Sequence, residues 1–235
     1  MPRSTWPRCP DAVLLAPSLL GANFGRLLEQ VRGLEGSGTE RLHVDVMDGI
    51  FVPNFTFGTD TVRVLRKETD LPLELHLMIV QPERHLETFA EAGADAITVH
   101  YEVSPHLHRT LTSIRELDCR AGAAINPSTP ALVLFDILEV CDLALVMTIN
   151  PGYGGQKLIP RTLQKVREVR EEIERQGLDT DVEVDGGVDP SNARECVEAG
   201  ANVLVAGTAV FRHPDGPAEG GRAVLRSGRA AVPAA

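Results

Sequence analysis

Very little in this chain of 235 residues suits a disulfide framework, a membrane span or a polyanionic partner. Its four cysteines (Cys9, Cys119, Cys141 and Cys196) are far apart and form no C-x-x-C pair. That spacing argues against a zinc ribbon and suits a reducing cytoplasm, where thiols persist. No apolar run approaches the roughly 20 residues that span a bilayer. The opening "MPRSTWPRCPD" lacks the apolar core of a secretory signal and reads as a loose tail. Positive charge is also scarce: the net charge is −10, so broad attraction to nucleic acid or an anionic membrane is not expected. Any anionic ligand must be held by local geometry. Lysine is rarest of the cations, with only Lys67, Lys157 and Lys165, none of them on an expected strand.

What is present is an alternation. Short β-rich apolar runs begin at Val13, Arg41, Leu73, Ala96, Arg120, Leu143, Asp181 and Asn202, separated by stretches of helical period. In "PRTLQKVREVREEIERQG", Pro160 suits a first helical position and Gly177 a stop; Leu163, Val166, Val169 and Ile173 recur at helical spacing. Glu171 stands four residues before Arg175, the spacing of a helical ion pair. Pro82 and Gly93 repeat the punctuation, and Asn23 suits the cap of a helix burying Leu27, Leu28, Val31 and Leu34. Eight βα units in about this length predict a single-domain α/β fold, the (β/α)8 TIM barrel, typically about 250 residues. A doubly wound sheet competes poorly, because "APSLLGANFG" after the first strand is not G-x-G-x-x-G. Residues 1–11 read as a flexible tail, 12–228 as the barrel and 229–235 as a frayed end.

In such a barrel the active site lies at the C-terminal ends of the strands. The run "LHVDVMDG" sets Leu42, Val44 and Val46 on one face and His43, Asp45 and Met47 on the other. Packing alone has no use for an imidazole, a carboxylate and a thioether in a row. The third strand adds His76 and Met78, the sixth Met147 and the seventh Asp185, while Ser18 follows the first. His43, Asp45, His76 and Asp185 make a candidate four-ligand site for one divalent ion, and zinc, iron, manganese and cobalt all accept such N/O donors. His85, His106 and His108 read as surface, and His100 as a strand-end residue without a matching carboxylate. Met47, Met78 and Met147 suggest a dry, polarisable wall around a reacting group. Asp48 falls on the opposite face and reads as a turn residue.

Glycine-rich turns follow three consecutive strands, in "NPGYGGQ", "DGGV" and "AGTAVF". They let backbone N–H groups approach an anion, and barrels of this kind commonly hold phosphate there. A phosphate anchor beside a metal describes a small phosphorylated sugar. A metal polarises a ketone and its neighbouring hydroxyl, and Asp45 and Asp185 could serve the two faces of the resulting enediolate, inverting the carbon between them.

The motifs "LAPSLL", "LHVDVMDGIFVPN", "LELHLM", "QPERH", "AGADAITVHYE", "MTINPGYGGQ", "VEVDGGV" and "AGTAVF", spread from Val13 to Phe211, closely resemble those of the ribulose-phosphate 3-epimerases. The resemblance implies a ribulose-phosphate-binding barrel that interconverts D-ribulose 5-phosphate and D-xylulose 5-phosphate in the pentose phosphate route. It implies His43, Asp45, His76 and Asp185 as ligands of one divalent ion, with zinc the first expectation and iron, manganese or cobalt the others. Asp45 and Asp185 would be the catalytic pair. Ser18 and His76 would touch substrate, and Gly152, Tyr153, Gly154, Gly155, Gly186, Gly187, Gly207 and Thr208 would surround its phosphate end. A cytoplasmic homo-oligomer is also implied. Gly21, Asn23, Tyr153 and Thr208 depart from the family's usual residues, and none belongs to the metal set. An epimerase of a six-carbon ketose phosphate such as D-allulose 6-phosphate would need nearly the same residues. A decarboxylase with D-x-K-x-x-D or a Schiff-base aldolase would need a strand-end lysine, which is absent. A non-catalytic phosphosugar-binding barrel would be favoured by loss of a ligand or base, and none is missing.

Overall fold

The computed structural model of the chain describes Trp6 and residues 12–232. The rest of the expected tails, residues 1–5, 7–11 and 233–235, lies outside the described residues. Eight parallel strands run in the order β1 (Leu14–Pro17), β8 (Val203–Ala206), β7 (Asp181–Asp185), β6 (Leu143–Met147), β5 (Arg120–Ile125), β4 (Ala96–His100), β3 (Leu73–Met78) and β2 (Leu42–Met47). The ring is nearly closed: β1 and β2 meet through a parallel bridge between Ser18 and His43. The helices are α1 (Leu27–Arg32), α2 (Thr59–Glu68), α3 (Leu86–Ala92), α4 (Leu107–Glu116), α5 (Thr162–Gln176), α6 (Ala193–Glu198), α7 (Thr208–Phe211) and α8 (Pro217–Arg229). A run of 3-10 helix, Ala131–Val140, takes the crossover between β5 and β6. This is a (β/α)8 TIM barrel. Among the described residues no helix is long and apolar enough to cross a membrane.

Alternation along each strand divides the core in two. Leu42, Val44 and Val46 join Leu73, Leu75 and Leu77 in the large apolar layer under the helices, so the outward face of β2 is the one expected. Inside the ring the apolar groups are fewer and smaller: Leu14, Ala16, Val203 and Val205 form one cluster, and Ala124, Leu145 and Met147 another. Met47 and Met78 form a third with Val52, and beside these clusters the interior holds a column of buried polar groups. Arg41 is fully buried at the base and ion-pairs with Glu74 (3.3 Å) and Asp181 (3.0 Å). The ring of Trp6 lies 4.0 Å from the Arg41 guanidinium, a cation–π contact that ties one residue of the expected tail to the barrel floor.

Several local expectations shift. Asn23 caps a 3-10 turn, Phe24–Arg26, by accepting from Gly25 N–H, and α1 follows that turn. Pro160 lies in the turn before α5, which begins at Thr162; Gly177 ends it at φ 65°. Arg175 pairs with Glu172, through Nε at 2.7 Å, rather than with Glu171. Pro82 opens a 3-10 turn ahead of α3. The last helix is well formed: α8 buries Val224 and Leu225, and a Cβ at Gly220 would meet the carbonyl oxygen of Val210 at 2.6 Å. Glycine there lets α8 pack directly on α7.

Removing the Arg41 cation leaves Glu74 and Asp181 buried without it. Arg41→Met is therefore expected to lower unfolding free energy by about 3–5 kcal/mol, the usual cost of orphaning one side of a buried pair. Urea denaturation measures this, and a variant as stable as the parent would refute a structural role for the floor.

Candidate active site

The register between neighbouring strands assembles the site. Asp45 on β2 pairs with His76 on β3, Met47 with Met78, and Met147 on β6 with Asp185 on β7. Each of these residues points into the ring near its C-terminal end, because alternate residues share a face. The seam bridge brings Ser18 beside β2, where its hydroxyl donates to Asp45 Oδ2 at 2.6 Å.

His43, Asp45, His76 and Asp185 converge, each of them buried. His43 Nε2 lies 3.3 Å from Asp45 Oδ1 and 3.8 Å from Asp185 Oδ2. His76 Nδ1 lies 3.2 Å from the same Asp45 oxygen, 3.5 Å from Asp185 Oδ2 and 3.3 Å from His43 Nε2. Donors about 2.0–2.2 Å from one tetrahedral ion stand about 3.3–3.6 Å apart, so these spacings fit the edges of such a cage. The donor set, two imidazole nitrogens and two carboxylates, also suits a borderline divalent cation.

Electrostatics follow from this crowding. Burial opposes charge on His43, but Asp45, Glu183 and Glu74 outweigh it and hold the imidazole well above its usual pKa. Burial likewise opposes charge on Asp45, and His43 and His76 reverse the effect, keeping its carboxyl below the ordinary range. His76 is raised too, its burial outweighed by Asp185 and Asp45. Behind His43 lie two carboxylates that sequence reading missed: its Nδ1 is 3.3 Å from Glu74 Oε1 and 3.3 Å from Glu183 Oε1. Burial and the charge of Glu74 push Glu183 well up, while His43 and Arg41 draw Glu74 down to about 2 against its burial.

A cavity of about 600 Å³ opens over these groups. Ser18, Asp45, Asp185, Gly152, Tyr153, Gly154, Gly155, Gly186, Gly187, Gly207 and Thr208 all line it, as do Met47, Met78 and Met147. His43 and His76 lie beneath, with no solvent-exposed surface. The Gly186–Gly187 turn needs its glycines: φ is 122° and 71°, and a Cβ on Gly187 would meet Leu158 N at 2.4 Å. Gly207 directly precedes α7, whereas Gly186 and Gly187 stand well ahead of α6, which begins at Ala193. Tyr153 donates its hydroxyl to the Pro53 carbonyl at 2.8 Å, and Asn54 Nδ2 donates to the Gly152 carbonyl at 2.9 Å. Both bonds tie the loop after β6 to the loop after β2. Asp48 behaves as a turn residue, accepting from Ile50, Phe51 and Val80 N–H groups.

His85, His106 and His108 are exposed as expected. His100 corrects its reading. It is buried against His76, with the two Nε2 atoms 2.8 Å apart, and it does have a carboxylate, Glu102, at 3.1 Å from Nδ1. Burial holds the His100 pKa down to about 4. The spacing H-x-E was visible in the sequence; its use was hidden because Glu102 lies past the strand, in the 3-10 turn Tyr101–Val103.

Comparison with known proteins gives a consistent picture. A model of the ribulose-phosphate 3 epimerase family matches residues 14–211. The chain is 52% identical over 205 residues to the ribulose-phosphate 3-epimerase of Synechocystis sp., a match covering 86% of this chain and 89% of that protein. It is 47% identical over 204 residues to the ribulose-phosphate 3-epimerase of Bacillus subtilis, covering 86% and 94% respectively. Among solved structures, a mutant tryptophan synthase alpha-subunit from Pyrococcus furiosus matches with TM-score 0.64 at 14% identity, over 94% of this chain and 97% of that one. At that identity the likeness concerns the fold alone.

The raised pKa values of His43 and His76 set the sign of a pH effect. A group raised in the folded chain keeps its proton to higher pH, and an imidazole must lose that proton to ligate an ion. Zn²⁺ affinity measured by chelator competition is therefore expected to climb between pH 6 and pH 8, by up to about tenfold per pH unit for each proton displaced. Equal affinity across that range would contradict the assignment of these imidazoles to the site.

Proposed function

Because the chain belongs to the ribulose-phosphate 3-epimerase family, we propose that Asp45 and Asp185 are the acid/base pair with which it interconverts D-ribulose 5-phosphate and D-xylulose 5-phosphate. The chain is a carbohydrate epimerase, an isomerase. The observation that carries the residue assignment is the placing of two carboxylates, from the non-neighbouring strands β2 and β7, at the floor of one cavity. One carboxylate takes the C3 proton as the C–H electron pair moves toward the C2 carbonyl, giving an enediolate. The other returns a proton to the opposite face of C3, and the configuration there inverts.

His43, Asp45, His76 and Asp185 would hold a divalent ion, which supplies Lewis-acid polarisation of the ketone and its neighbouring hydroxyl when bound. Each remaining residue has a task at the substrate. Ser18 holds Asp45 through its 2.6 Å bond and reaches the sugar from the seam. Met47, Met78 and Met147, each buried, exclude water from the reacting carbons. Gly152, Tyr153, Gly154, Gly155, Gly186, Gly187, Gly207 and Thr208 receive the phosphate end, where backbone amides rather than lysines supply the counter-charge. An enzyme of this activity would serve the pentose phosphate route.

Incorporation of deuterium at C3 in heavy water tests the chemistry. Exchange is expected with the metal-loaded chain and is expected to stop when a chelator strips the ion; exchange that survives stripping would overturn the metal assignment. Asp185→Asn is expected to lower kcat by about 10²–10⁴-fold, the usual share of one acid/base group, with an unchanged circular dichroism spectrum. Turnover like that of the parent would sink the two-carboxylate mechanism.

The finer proposals are a zinc ion, a homo-oligomeric assembly and a cytoplasmic location. Zinc suits two imidazoles and two carboxylates at tetrahedral spacing. Ile50 and Phe55, 73% and 76% exposed on the loop after β2, offer apolar surface to a second copy. Cys119, Cys141 and Cys196 are buried thiols, which suits a reducing compartment. The purified chain is expected to carry zinc by elemental analysis and to sediment as more than a monomer. Iron or manganese in its place, or a monomer at micromolar concentration, would remove the corresponding statement.

A further inference from the structure

The two ring nitrogens of His76 face different partners. Nδ1 is turned toward Asp45, Asp185 and His43, while Nε2 is 2.8 Å from Nε2 of His100. Two imidazole nitrogens at that distance need one donor and one acceptor between them. Which is which is decided one residue further out. Glu102 Oε1 accepts from the Asn126 N–H at 2.8 Å and from the Thr129 hydroxyl. Its other oxygen is 3.1 Å from His100 Nδ1. A carboxylate already receiving donors on one oxygen is an acceptor on the other, so the proton of His100 sits on Nδ1. His100 Nε2 is then a bare lone pair, and it must receive Nε2–H from His76. The only nitrogen of His76 left with a lone pair is Nδ1, the one that faces the cluster.

From this chain of bonds we infer that His100 and Glu102 are positioning residues: together they select the His76 tautomer that presents Nδ1 as a ligand, and they fix the plane of its ring. The inference rests on the reading of His76 as a metal ligand and extends it outward by two residues. Packing supports the same role. His76 and His100 stack with ring centroids 5.0 Å apart, and the Phe51 ring centroid lies 4.8 Å from that of His100. Both imidazoles are fully buried, so water does not compete for their nitrogens. Glu102 belongs to the turn after β4 and Asn126 follows β5, so the relay also couples two strand ends to the site. Partners of this kind, one step behind a metal-binding imidazole, typically change metal affinity by 10–100-fold when lost.

The experiment is Co²⁺ binding to the full-length chain, followed by visible absorbance, for the parent and two variants. His100→Phe keeps an aromatic ring beside Phe51 but removes the acceptor, and is expected to weaken Co²⁺ binding by roughly 10–100-fold. His100→Gln loses the ring but offers a carbonyl oxygen near the position of Nε2, and is expected to stay within a few-fold of the parent. A role in packing alone predicts the reverse order, which would overturn the inference. Equal binding by the parent and His100→Phe would also overturn it while leaving the metal site standing. No Co²⁺ binding by the parent would instead remove the metal reading itself, and the inference with it. Should both variants fail to fold, long-range ¹H–¹⁵N spectra of the Zn²⁺-loaded parent decide the matter. His100 is expected as the Nδ1–H tautomer, and either the Nε2–H tautomer or an imidazolium there would refute the relay.

Discussion

An ionic column in the dry centre of the barrel is the constraint on which the rest of this molecule depends. From the base upward it holds Arg41 with Asp181 and Glu74, then His43 between Glu74 and Glu183, then Asp45, His76 and Asp185. Isolated burial of any one of these charges would cost several kcal/mol. They are tolerable only as a set, each facing a partner of opposite sign or a hydrogen-bonding group. That requirement explains the ring. Only a closed ring of parallel strands in fixed register brings groups from β2, β3 and the non-neighbouring β7 within 4 Å of one another while keeping them buried.

The same column explains why the apolar core lies outside the ring rather than in it. The layer between sheet and helices carries the large aliphatic side chains, while the interior keeps small clusters around the polar groups. Hydrophobic burial therefore stabilises the barrel from its outer face, and the interior is free to be specialised. The ring is rigid enough to hold imidazoles at defined spacings because strand pairing fixes every Cα in the column.

Much of this was legible in the sequence because alternation has a period of two. Once a run such as Leu42–Met47 is read as a strand, the sharing of a face by His43, Asp45 and Met47 follows without any structure. Five of the eight strands begin at the expected residue and the other three begin one residue later, and the glycine turns all fall at the cavity. What was hidden needed register. Glu74 and Glu183 sit two residues before His76 and Asp185 and read as ordinary strand residues until β2, β3 and β7 are aligned around His43. Arg41 reads as a strand start, and only the closed ring shows it to be fully buried beneath the site. Glu102 escaped for a different reason: alternation stops at the end of β4, and a turn brings the carboxylate back to His100. The Asn23 cap moved because a single turn of 3-10 helix precedes α1, and the Pro160 boundary because a hydrogen-bonded turn precedes α5.

The floor beneath Arg41 has a bearing on the order of events. With the guanidinium fully buried, salt-bridged to Glu74 and Asp181 and covered by Trp6, the column ends blind at its base. The four-donor cluster thus occupies the closed end of a vessel whose mouth is the cavity between the loops. Whatever sits deepest must arrive first and leave last. A sugar phosphate seated above the cluster would act as a stopper over any ion below it, so exchange of the ion belongs to the intervals between turnovers rather than to the turnovers themselves.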